Sequence, residues 1–229
     1  MISPGFEFFS LDRPPGDDWI NLPLSAAERA REKSFRFEED ARRFAQGRKY
    51  LRVALARLVG AEPRDITLKE MPEQAPQALL RGEELPFAWN FSRSGGVGAL
   101  GFAADGPVGI DIEQPKEMPD ALDVAALQFS PAECVALQQV TGEARSRLFL
   151  QLWTAKEALV KATNDGLTDR TTAFTVTVAK DGHPTLVDGS EPYSPQNWVL
   201  TPIGGEAGLI GTIALAAGSQ RPGLQVVNL

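Results

Sequence analysis

The 229 residues include one cysteine and one histidine, and each shortage excludes a class of chemistry. With Cys134 alone there is neither an intrachain disulfide nor a thiolate metal cage. Its neighbours Glu133, Val135, Ala136 and Leu137 read as helix, so the thiol is expected to be buried and inert. His183 stands in Asp181-Gly182-His183-Pro184, a turn signal, and is expected to face solvent. A histidine triad or His-rich metal site is all but excluded, which leaves acid–base work to carboxylates, lysine or metal-bound water. No apolar run approaches the roughly 20 residues of a membrane span. The first residues, MISPGFEFFSLDRPPGDDW, show no basic stretch followed by an apolar core. The expectation is a cytoplasmic protein without a membrane segment.

The composition is that of an ordinary folded chain, 43% hydrophobic and 23% charged, long enough for one large domain or two small lobes. A net charge of −7 argues against a general nucleic-acid binder. The charge is unevenly spread, however. Residues 28–57 hold ten Lys/Arg against five Asp/Glu, so this segment carries +5 and the remainder −12. A basic helix in an acidic chain suits a polyanionic small ligand or an acidic partner. A solvated helix face laced with i,i+4 pairs is the competing reading.

Ser25-Ala26-Ala27-Glu28 is a capping-box pattern that opens a helix to about Phe35. A longer helix is expected from Glu38 to Val59, stopped by Gly60, with Gly47 in its middle allowing close approach of a ligand or another backbone. Strands are expected near 66–68, 87–91, 97–103 and 108–112, with Ser92-Arg93-Ser94-Gly95-Gly96 as a polar hairpin tip. Ser130-Pro131-Ala132-Glu133 caps helices at about 131–140 and 143–163, followed by strands near 174–178, 198–200, 209–216 and 224–227. The order ααβββ, then ααβββ, predicts an α+β fold. Two similar lobes, residues 1–105 and 106–229, would each pack helices on a small, largely antiparallel sheet, related by a pseudo-two-fold. No residue-level repeat supports that symmetry, which rests on topology alone.

Two stretches carry most of the chemistry. In Gly109-Ile110-Asp111-Ile112-Glu113 the carboxylates are two apart in a strand and point to one face. In Trp153-Thr154-Ala155-Lys156-Glu157-Ala158-Leu159-Val160-Lys161, Glu157 and Lys161 are four apart on a helix and also share a face. Three carboxylates and an ammonium converging on one cleft suit a hard divalent cation with a phosphate-bearing substrate. Taken singly, each stretch has a plainer reading: exposed edge-strand carboxylates, and an ordinary i,i+4 ion pair. Trp153 is expected in the core, Glu133 as a helix cap, and Arg43 could simply pair with Glu39.

These pieces, in order, resemble the larger, two-lobed class of 4′-phosphopantetheinyl transferases. The resemblance covers roughly residues 25–165. Phe37-Glu38-Glu39-Asp40-Ala41-Arg42-Arg43-Phe44-Ala45-Gln46-Gly47-Arg48 is similar to the family's basic helix. Asn90-Phe91-Ser92-Arg93-Ser94-Gly95-Gly96 is similar to its hairpin motif, and GIDIE, WTAKEALVKA and FSPAE to its metal-site and intervening signatures. The resemblance implies Asp111, Glu113 and Glu157 as Mg²⁺ ligands, with the coenzyme A pyrophosphate completing the shell and Lys161 on the phosphates. Asp111, Glu157 and Lys161 would then be the catalytic set, Glu157 taking the proton of a carrier-protein serine. Arg31, Arg43 and the hairpin Asn90, Ser92 and Arg93 would hold the nucleotide end of coenzyme A. The implied partner is an acidic acyl or peptidyl carrier protein, with no nucleic acid or membrane partner. The two lobes, as a pseudo-dimer, imply a monomer.

The sequence departs from the family pattern twice. Arg93 stands where the hairpin usually has histidine; arginine stays charged and holds phosphate bidentately. Gln74-Ala75-Pro76-Gln77 replaces a loop that often reads Gly-Lys-Pro, leaving Arg81 as a possible substitute cation. A non-catalytic coenzyme A or carrier-binding homologue and a Mg²⁺-dependent phosphohydrolase remain as alternatives.

Overall fold

The computed structural model describes residues 2–13, 21–69, 76–164, 169–204, 208–219 and 223–224. The chain begins with strand β1 (Gly5–Ser10), then helices α1 (Ala26–Lys33) and α2 (Glu38–Val59). Strands β2 (Ile66–Lys69), β3 (Gln77–Leu80), β4 (Glu83–Glu84), β5 (Ala88–Ser94), β6 (Val97–Ala103) and β7 (Val108–Glu113) follow. Helices α3 (Ala121–Gln128), α4 (Pro131–Gln138) and α5 (Gly142–Thr163) precede β8 (Phe174–Val178), β9 (Pro184–Gly189), β10 (Trp198–Ile203), β11 (Ile210–Ala216) and β12 (Gly223–Leu224). This is an α+β fold of small sheets. Pairing is antiparallel except where β12 joins β1.

Both capping boxes form. Ser25 and Glu28 exchange side-chain and backbone hydrogen bonds at the start of α1, as do Ser130 and Glu133 at the start of α4. The basic helix α2 has the expected bounds, and its Gly60 cap adopts the left-handed conformation at φ 65°. β1, β3, β4, α3 and β9 fall outside the expected elements. In β1 Phe6 and Phe8 enter one core cluster while Phe9 enters another, so the strand is buried on both faces and lacks the alternation that betrays a half-exposed one.

Among the described residues, three packed clusters fill the interior. One lies under α2 and includes Phe9, Leu51, Leu55 and Phe102. Another surrounds α5, with Phe129, Phe149, Leu159 and Phe174. The third joins the β1–β6 sheet to the β7–β11 sheet through Phe8, Ala99, Ile110 and Ile213. The order β12-β1-β6-β5 places the C-terminal strand on the N-terminal sheet, so the chain's two halves are interleaved there. The 224–227 strand expectation extends past the described residues at 225. Trp153, expected in the core, is half-buried and packs against its edge beside Phe149 and Phe129.

Candidate active site

The site starts from a close approach of helix to strand. A Cβ on Gly109 would overlap the carbonyl oxygen of Ala158 and crowd the amide of Ala162. Only glycine lets α5 lie this near the backbone of β7, and the small residues Ala155, Ala158 and Ala162 complete the contact. With α5 seated there, residues one turn apart on it reach the carboxylates of β7. Lys161 Nζ lies 2.6 Å from Asp111 Oδ1 and 3.3 Å from the Ile110 carbonyl. The ammonium of Lys161 therefore salt-bridges to Asp111 on the strand rather than to Glu157 one turn earlier on its own helix.

The hairpin supplies the other half of this arrangement. Ser92 Oγ donates to Asp111 Oδ1 at 2.8 Å and accepts from the Ile112 amide at 3.3 Å. Two residues on, Ser94 Oγ donates to Glu113 Oε2 at 2.8 Å and accepts from the Gln114 amide at 3.0 Å. Two serines on β5 thus match two carboxylates on β7, each strand using its period of two. Ser92 is buried, and the contact it makes here is to Asp111.

Asp111 is 6% exposed and Glu157 9%. Burial pushes the Glu157 carboxyl above its ordinary value; the Lys161 charge opposes this, while Asp111 and Glu113 reinforce it. Among the described residues no group of three or more His, Cys, Asp or Glu side chains is gathered so that it could hold a metal ion by itself. Asp111 Oδ1 is engaged by Lys161 and Ser92, and Glu113 Oε2 by Ser94. Yet Asp111 Oδ2 is buried without a hydrogen-bond partner, and an orphaned carboxylate oxygen is costly unless something meets it. The donor set fits a hard cation that takes one or two protein oxygens and fills its other positions from phosphate and water.

A second feature opens on the other face of β5. A cavity of about 240 Å³ is lined by Arg31, Phe35, Arg43, Phe44, Gly47 and Arg93, with Arg48, Leu51 and Phe91. Three arginines singled out from sequence therefore share one wall. Arg43 does pair with Glu39, at 2.6 Å, and it also hydrogen-bonds Asp12 through Nε at 2.8 Å and Nη2 at 3.3 Å. Those contacts hold its Asp12 partner well below the usual carboxylate range. Gly47 forms part of this cavity's lining, but a Cβ there would meet Leu11 and Phe91 at 3.4 and 3.7 Å, ordinary contact, so the expected close backbone approach is not what these neighbours require. Asn90 is not among the lining residues. It borders a different cavity of about 280 Å³, together with Trp89, Gln77, Lys161 and Asn164, and its buried Oδ1 has no partner.

The model of the 4'-phosphopantetheinyl transferase superfamily matches residues 107–213, which contain β7, α5 and the acidic site. A 4'-phosphopantetheinyl transferase of Bacillus subtilis is 33% identical over 80% of this chain and 81% of its own length. The chain belongs to this superfamily. A putative 4'-phosphopantetheinyl transferase of Synechocystis is 35% identical over 68% of this chain, which spans 63% of that relative's length. The Nostoc protein HetI, also named a 4'-phosphopantetheinyl transferase, is 33% identical over 69% of this chain and 67% of its own.

In this superfamily member the FSPAE stretch is structural. Glu133 completes the α4 cap, accepts the Val176 amide at 2.7 Å, and takes the ammonium of Lys156 at 2.9 Å. Lys156 also donates to the Phe174 carbonyl at 2.7 Å and is 1% exposed, pointing away from its neighbour Glu157. Burial pulls its ammonium below the ordinary lysine value, against the opposing charge of Glu133. Cys134 is half-buried rather than sealed in, with its thiol raised by burial. His183 is exposed, as expected, its Nδ1 3.0 Å from the Pro184 carbonyl. Arg81 is tied to Asp65 at 2.8 Å, and Gln74 and Ala75 lie outside the described residues. Gly109, Ser94, Phe35 and Asp12 shape these two features without having been given a role from the sequence. Ser94 was legible in principle, since Ser92 and Ser94 repeat the spacing of Asp111 and Glu113.

Proposed function

We propose that this chain transfers 4′-phosphopantetheine from coenzyme A to a serine of an acyl or peptidyl carrier protein. The observation that carries this reading is the Lys161–Asp111–Ser92 cluster on one face of β5 with the arginine-lined cavity on the other. A polyanion held in that cavity by its nucleotide end would bring its pyrophosphate toward Lys161. Chemistry and recognition then share one strand.

The serine oxygen forms a bond to the β-phosphorus of coenzyme A, and the bond from that phosphorus to the oxygen of 3′,5′-ADP breaks. The hydroxyl proton goes to Glu157. A carboxyl raised by burial is a better proton acceptor at neutral pH than an ordinary one, which suits a general base. Lys161 sets a positive charge beside the pyrophosphate oxygens, where negative charge develops. Asp111 orients Lys161, and Ser92 orients Asp111. Mg²⁺, held by Asp111 with Glu157 or Glu113, would neutralise pyrophosphate charge. Transfers of this kind depend on positioning and charge more than on covalent catalysis.

The test is an intact-mass assay of apo carrier protein with this protein, coenzyme A and Mg²⁺, alongside an EDTA control. A Mg²⁺-dependent gain of one phosphopantetheine is the expected result. Hydrolysis of coenzyme A without a carrier, or binding without transfer, would overturn the reading. It also carries a monomeric chain, which light scattering checks. Among the described residues no helix is long and apolar enough to cross a membrane.

A further inference from the structure

The arginine-lined cavity poses a problem of like charge. Arg31 comes from α1 and Arg93 from the tip of β5, elements far apart in sequence, and both guanidiniums converge on one wall. Cations brought together in a partly enclosed site repel each other before any anion arrives. Phe35 stands between them, in the short link from α1 to α2, half-buried. The Arg31 guanidinium carbon lies 5.4 Å from the Phe35 ring centroid, and that of Arg93 lies 5.9 Å from the same centroid. The ring itself is braced by Phe44, centroids 5.4 Å apart at 41°. Phe44 in turn carries the Arg48 guanidinium at 5.0 Å.

We infer that Phe35 is a positioning residue, whose ring gathers Arg31 and Arg93 into one phosphate-binding pair at the nucleotide end of the substrate. The inference rests on the coenzyme A reading above. The electron-rich ring face attracts each cation and so offsets their mutual repulsion before substrate binds. An aliphatic side chain of similar bulk would fill the space without that attraction. Arg43 is fixed differently, by Asp12 and Glu39, so its placement does not depend on the ring. The pair formed over Phe35 suits a phosphate dianion, because two guanidiniums offer several N–H donors to one group. Of the phosphates on coenzyme A, the 3′-phosphate is the one that marks the nucleotide end.

Calorimetric titration of adenosine 3′,5′-bisphosphate and of AMP into wild type, Phe35→Leu and Phe35→Tyr tests this without turnover. Phe35→Leu is expected to bind the bisphosphate about three- to tenfold more weakly, with AMP changed by less than about twofold. Phe35→Tyr, which keeps the ring face, is expected to restore bisphosphate binding to within about twofold of wild type. In an Arg31→Gln background, Phe35→Leu is expected to cost less than it does alone, as coupling through the ring requires. Equal weakening of both nucleotides, no weakening, or failure of the tyrosine variant to restore binding would each overturn the inference. Wild type that binds neither nucleotide would overturn the coenzyme A reading and this inference with it; normal wild-type binding beside an unaffected leucine variant overturns the inference alone.

Discussion

Gly109 of β7 faces the carbonyl of Ala158 so closely that a methyl group on it would overlap that oxygen. The helix carrying Glu157 and Lys161 can sit where it does only because the strand has no side chain at this point. Gly109→Ala should therefore force α5 outward and destabilise the fold by about 1–3 kcal/mol. Urea denaturation reads the stability, and transfer per folded molecule should fall as well. A variant of unchanged stability would show that the helix has room this structure denies it.

Glu157→Gln keeps the side chain's size and removes its charge. Transfer should drop by at least about 100-fold. The fold should be no less stable, because a carboxylate raised by burial is itself a strained charge. Intact-mass rates and the urea midpoint are read on the same preparation. Wild-type transfer would sink the assignment of Glu157 as the base.

Ser92→Ala removes the hydroxyl that donates to Asp111, and Ser94→Ala the one that donates to Glu113. Groups that orient a metal-binding carboxylate typically matter by 10–100-fold, so Ser92→Ala should raise the Mg²⁺ needed for half-maximal transfer by about tenfold. Ser94→Ala should do less, since Glu113 is more exposed and also has Lys116 at 3.8 Å. A Mg²⁺ titration of both variants checks the order. Identical titrations for wild type and Ser92→Ala would contradict it.

Arg93→Ala acts at the arginine-lined cavity, on the opposite face of β5 from Asp111. It should raise KM for coenzyme A by about tenfold and leave the rate at saturation within about threefold. Steady-state kinetics separate the two. A large fall at saturation would place Arg93 at the reacting phosphate instead.

Glu7 gives a pH signature away from the site. It is fully buried beside Tyr50 and Arg57, and burial outweighs both partners to push its carboxyl above 4.5. A group raised on folding lends stability below its unfolded value and loses that contribution as pH climbs through the folded one. Relative to Glu7→Gln, wild type should therefore lose stability as pH rises from about 4.5, by at most about 1.4 kcal/mol per unit. Urea midpoints at several pH values for both proteins measure this. A difference that is flat, or that grows with pH, would reverse the sign.

The motifs were legible because their spacing maps directly onto backbone geometry. Asp111 and Glu113 share a face for the reason any i,i+2 strand pair does, and α2 declared both ends through its charge pattern and Gly60. The partner choices were not legible. Whether Lys161 meets Glu157 or Asp111 depends on the distance between α5 and β7, and that is set by Gly109, a residue with no side chain to attract notice. The hairpin read as one contact surface, yet Arg93 lines one cavity while Asn90 and Ser92 face away from it. β1 was hidden for a different reason: a strand buried on both faces has no polar side to alternate with.

β5 acts as a fixed ruler. Its odd side chain Arg93 reaches the arginine wall, and its even ones, Ser92 and Ser94, hold the acidic residues, so the arginine wall and the acidic cluster are spaced by one pleat of backbone. The pairing of β5 with β6, Arg93 opposite Gly98 and Ser94 opposite Val97, closes at a glycine turn wedged between Asp12 and Gln114. Insertion of a single residue between Ser92 and Arg93 would exchange the two faces, carrying arginine toward the carboxylates. Two inserted residues would keep the faces and lengthen the ruler. Under the proposed function, the distance from nucleotide to pyrophosphate would be set in steps of two residues, with side-chain length as the fine adjustment between them.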